Sequence, residues 1–127
     1  MVAIVGRVMF TLIFFLSGIT HFTDLGTYVA LMPEAIPFRP FWVMISGLVE
    51  LAGATLILLN RQPRLGGWLI FLFLVPVTIV VHGVAMATTP DPLMARIQTS
   101  FFLKGVTMAG AALLISQLGV VRPALPR

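Results

Sequence analysis

The sequence predicts an all-α integral membrane protein, a four-helix bundle with both termini in the cytoplasm. Three observations carry this. Charged residues make up only 9% of the 127 residues and hydrophobic ones 59%, against about 25% charged in soluble domains. Four apolar stretches approach the roughly 20 residues that cross a membrane. The basic residues gather at one end of the resulting bundle.

The length suits a single domain. The net charge of +4 is scattered, so a nucleic-acid partner is not expected. There is no cysteine, which excludes disulfides, thiolate metal sites and self-contained thiol redox chemistry. Function is expected within the membrane or at its two faces.

The first helix is expected over residues 4–20. Arg7 precedes an apolar run as in a signal peptide, but "GITHFTD" offers no small-residue cleavage site, so the helix is expected to be retained. The second is expected over 40–59, with Pro40 in a first turn where its missing N–H costs nothing. The third covers 65–87 and the fourth 99–118. "TDLGTYVALMPEAIPFRP" reads as a long loop with three prolines and room for an interfacial turn, and "NRQPR" as a tight turn that makes helices two and three a hairpin. Pro76 is expected to kink the third helix. Trp42 and Trp68 fall near helix ends, as interfacial anchors do. The seven methionines are scattered and read as packing.

Arg7, Arg61, Arg64, Arg122 and Arg127 collect on one side, with no acid. Arg39 and Arg96 share the other with Asp24, Glu34 and Asp91. The excess of arginine sets the first side as cytoplasmic.

Ionisable residues inside the spans are the candidate site. Counting the rise per residue along the helices puts Glu50 near the midplane and His21, His82 and Lys104 above it. Each sits on a face of small and polar residues, such as Arg7, Thr11, Phe14, Gly18 and His21 on the first helix. A charge at the bilayer centre costs about 2.5–3.5 kcal/mol on insertion scales. Glu50 is therefore expected to be protonated or paired with a cation. Lys104 and Arg7 are the available cations, and both pairings stay open. Plainer roles exist: Arg7 snorkelling, His21 at the interface, His82 in packing, or a Glu50 pair that only sets helix register. Metal and haem are not expected, because neither has a diagnostic spacing here. No Ser-His-Asp set, phosphate loop or zincin motif occurs.

Four segments together resemble the DoxX-like membrane proteins: "GRVMFTLIFFLSGITHFTDL", "ISGLVELAGATLILLNRQPRLGGWLIFLFL", "TIVVHG" and "FFLKGVTMAGAALL". The resemblance spans nearly the whole chain. It implies a four-helix bundle in a bacterial or archaeal cytoplasmic membrane and a small subunit of a redox system. Members include the quinone-reducing thiosulfate oxidoreductase of archaea, partners of thiol-stress enzymes, and assembly factors. Arg7, Glu50, His82 and Lys104 match the family pattern, and His21 stands where the family often has lysine or histidine. The chain departs from direct thiol chemistry in having no cysteine.

Three functions compete. In a redox-linked accessory subunit, the outer half would hold a quinone or other small ligand. His82 and Lys104 would donate hydrogen bonds, and Glu50 would accept a proton. In a structural or assembly subunit, the cluster would serve packing, and the partners would be lipids and another membrane protein, a redox enzyme or a second copy. A proton or small-solute transporter is the third; no inverted repeat supports it.

Overall fold

A computed structural model describes residues 1–118, with Leu118 described by its backbone only. Arg122 and Arg127, which entered the topology argument, lie outside the described residues.

The described chain is an all-α four-helix bundle. Helix α1 spans Val2–Thr23, and a short α2 spans Leu25–Leu31. Helix α3 spans Arg39–Leu58. Helix α4, Pro63–Pro76, runs through a π-helical segment, Val77–Gly83, into α5, Val84–Thr88. Helix α6 spans Pro92–Leu118. The four long rods, counting Pro63–Thr88 as one, are each long and apolar enough to cross a membrane.

The structure adds four features to the sequence reading. The expected loop after α1 contains α2. The Arg39 guanidinium Nη1 donates to the carbonyls of Val29 and Met32 at 3.4 and 3.3 Å. A cation there suits the carbonyl end of a helix. The last rod starts at Pro92 rather than near residue 99. The Asp91 carboxylate caps it by accepting the amides of Leu93 and Met94 at 2.7 and 3.1 Å, with proline in the tolerated first position. Third, α3 is entered through Phe38, whose φ of 56° is left-handed, a strained state for a bulky residue. Finally, the chain after Pro76 does not stay α-helical but widens into the π segment that carries His82. Irregular turns of this kind recur at functional sites.

Replacing Arg39 with methionine should free the end of α2. Amide exchange across Leu25–Leu31 should quicken by about tenfold, the loss expected for one hydrogen bond to a charged group. The thermal midpoint of the whole bundle should move little.

Helix α1 packs on α3, α3 on α4, and α4 on α6, while α6 also covers the π segment and α5. The buried core joins Phe14, Ala54, Ile57, Ile70, Leu74, Ala109 and Ala112. Close approach depends on glycine at two crossings. A Cβ on Gly47 would lie 2.8 Å from the His21 Cβ, and one on Gly18 would lie 2.8 Å from the Leu51 Cγ. At the α3–α4 crossing, a Cβ on Gly66 would stand 2.7 Å from the Gly53 carbonyl oxygen. Small residues are what allow membrane helices to approach so near.

Candidate functional site

The Gly18–Gly47 crossing sets the site. The buried residues of α1 are Thr11, Phe14, Gly18 and His21, the face that the 4-3-4-3 spacing outlines, with Arg7 half-buried at its foot. On α3, Glu50 is buried beside Gly47 and Gly53. Side chains on a helix lean toward its N-terminus. Because α1 and α3 run in opposite directions, His21 and Glu50 lean toward each other.

They meet. His21 Nδ1 lies 3.1 Å from Glu50 Oε2 and 2.7 Å from the Ser17 carbonyl oxygen. The Ser17 hydroxyl donates to the same Oε2 at 3.3 Å. Glu50 is 1% exposed and His21 5%. A carbonyl can only accept, so Nδ1 carries the hydrogen and shares it between the carbonyl and the carboxyl oxygen. This fixes the ring and leaves Nε2 as the nitrogen that can meet a ligand.

A second support comes from α2. The Tyr28 ring stacks on His21 at a centroid distance of 4.0 Å, and its hydroxyl lies 2.7 Å from Thr20 Oγ1. Phe73 meets the same imidazole edge-on at 6.2 Å.

The partner of Glu50 is thus His21, not Lys104 or Arg7. Lys104 is exposed on α6, its ammonium 5.5 Å over the Phe101 ring. The Arg7 Nε is buried without a hydrogen-bond partner, near the other end of α1. His82 also stands apart from the pair. Its Nδ1 donates to Gln98 Oε1 at 3.0 Å, and its ring lies 5.4 Å from Phe101. The structure therefore brings together His21 and Glu50 and leaves Arg7 and Lys104 outside.

Ser17, Tyr28 and Gln98 escaped the sequence reading. Ser17 carried a signal, standing four residues before His21 on one helical face. Tyr28 sat in a segment read as a loop, and Gln98 just ahead of the expected start of the last helix.

Both histidines line one cavity of about 550 Å³, bounded by α1, α2, α3 and the α4–π rod. Its polar lining is Ser17, His21, Tyr28, Ser46 and His82; Trp42, Val49, Leu69, Phe73 and Val80 are among its apolar walls. The volume lies within the roughly 300–1,000 Å³ of small-molecule sites, and an apolar wall with a few polar groups is their usual chemistry. Among the described residues, no three His, Cys, Asp or Glu side chains are grouped to hold a metal ion.

Fold and site together define a small helical bundle of membrane-spanning make-up, with a buried histidine–carboxyl pair at the wall of an apolar cavity. The chain belongs to the family described as a domain of unknown function, DUF8561, which matches residues 10–103. That stretch contains Ser17, His21, Tyr28, Glu50, His82 and Gln98, and leaves out Arg7 and Lys104. No curated protein matches the chain, and no solved structure does.

Proposed function

We propose that this protein is a redox-linked accessory subunit of a bacterial or archaeal cytoplasmic membrane, holding a quinone-like ligand in the cavity beneath α2. The observation that carries the reading is two cavity-lining histidines whose Nδ1 atoms are both engaged by protein acceptors. Each then offers Nε2 to a carbonyl or hydroxyl of a flat apolar ligand. Glu50 stands behind His21 as the acidic group within reach of that ring when a proton is passed at Nε2. Electrons would come from a partner redox enzyme. The resemblance to the DoxX-like proteins supports the same class, and the absence of cysteine directs it away from thiol chemistry.

The charge pattern supports cytoplasmic termini. In the sequence Arg7, Arg61, Arg64, Arg122 and Arg127 fall on one side against Arg39 and Arg96 on the other. The site then lies in the outer half of the membrane.

One observation favours a structural subunit instead: Glu50 is wholly enclosed and its Oε2 already has two partners. Gentle detergent purification with mass spectrometry of extracted small molecules separates the readings. A stoichiometric quinone-like compound is expected, reduced at least severalfold in His82→Ala and in the cavity-filling Val80→Trp. A folded preparation with no bound small molecule, or one whose ligand ignores both changes, supports the structural subunit.

A further inference from the structure

The groove between α1 and α6 carries chemistry that the cavity does not use. Ile13 of α1 faces Arg96, Ser100, Leu103, Lys104 and Thr107 of α6 across a space of about 590 Å³. Arg96, Ser100, Lys104 and Thr107 recur at helical spacing and form one stripe. All four are exposed, on a rod long and apolar enough to cross a membrane.

A cationic stripe is costly against lipid tails. Among the described residues, Arg96 has no hydrogen bond or ion pair, and Lys104 meets only the Phe101 ring. The His21–Glu50 contact is the one ion pair found among those residues, so no carboxylate neutralises either cation. Lys104 stands two turns further into α6 than Arg96, about 12 Å by helical rise. Both stems lean back toward the N-terminus of α6, which brings the Lys104 ammonium over the turn that holds Ser100 and Phe101, one turn from Arg96. Two cations at the mouth of a groove, with Leu103 and Ile13 alongside, match an anionic headgroup joined to an acyl chain.

We propose that the α1–α6 groove binds an anionic phospholipid. Its phosphate is held between Arg96 and Lys104, the Ser100 hydroxyl donates to it, and one acyl chain lies along Leu103 and Ile13. The site is separate from the His21 cavity and does not depend on what that cavity holds.

Native mass spectrometry of the full chain, titrated with phosphatidylglycerol or phosphatidylcholine in detergent, tests this. Phosphatidylglycerol adducts should persist under activation that strips phosphatidylcholine, and excess inorganic phosphate should not displace them. Arg96→Gln with Lys104→Gln should weaken retention about tenfold or more, the loss of at least one charge-assisted hydrogen bond. Leu103→Trp keeps both cations and fills the acyl path; it should lower retention while the thermal midpoint stays unchanged. Equal retention of both lipids, indifference to both variants, displacement by phosphate alone, or a lipid-free dimer cross-linking through position 103 would overturn the proposal.

Discussion

Replacing Gly47 by valine is expected to push α1 off α3 and to break the histidine–carboxyl pair in the same step. A first carbon at this position already lies 2.8 Å from the His21 Cβ, 3.0 Å from the Phe22 Cε2 and 3.2 Å from the Gly18 carbonyl oxygen. The His21 Cβ cannot rotate away, because its place is set by the backbone. Valine adds two more methyl groups, so helix α1 has to retreat. Contacts of 3.1 and 3.3 Å to Glu50 do not survive a shift of an ångström or more. The cost adds overpacking, about 1–3 kcal/mol, to the break of an enclosed pair, about 3–5 kcal/mol. A large fall in the thermal midpoint in detergent is the expected readout. A valine variant that melts with the parent would show that α1 and α3 are not in this contact.

The second large effect is expected at Glu50 itself. Glu50→Leu should cost about 3–5 kcal/mol, because it removes the acceptor of the Ser17 hydroxyl and one of the two acceptors of His21 Nδ1 at an enclosed position. Glu50→Gln keeps an acceptor oxygen for both and should cost about 1–2 kcal/mol. His21→Phe keeps a ring under Tyr28 and against Phe73. Combining it with Glu50→Leu should recover part of the single-variant loss, since an imidazole no longer faces the missing carboxyl. Cycles pairing Glu50→Leu with Lys104→Met or Arg7→Met should be additive. Strong coupling to Lys104 and none to His21 would refute the arrangement around Ser17.

Glu50 also shows how far the sequence could be read. Its burial followed from composition and helical face alone: an acid amid "ISGLVELAGATL" had to turn inward. Its partner did not follow, because depth counted from Cα positions put His21 well above it. That count ignores side-chain direction. On antiparallel neighbours, His21 and Glu50 lean together, while Lys104 leans toward the N-terminal end of α6 and Arg7 toward the N-terminal end of α1, each away from Glu50. The lean and the Gly18–Gly47 crossing would have selected His21. Helix α2 was less legible. Its seven residues are too few to hold a helix unaided, and it is held by Arg39 from α3 and by its own Tyr28 against His21 and Thr20 of α1. The cavity was not legible at all, since its walls come from four separate segments and its shape from their packing.

The π segment has a consequence for how the third rod is indexed. Below Pro76 its faces are locked in phase with α3 and α6, through Gly66 against Gly53 and Gly67 against Ala112. Above it, His82 answers to Gln98. A straight α-helix would tie those two sets of contacts to a single angular frame. The wider turn inserts a phase slip between them. The cavity wall can therefore be rotated into place without disturbing the glycine seams beneath it, as a collar lets the upper half of a shaft be set independently of the lower.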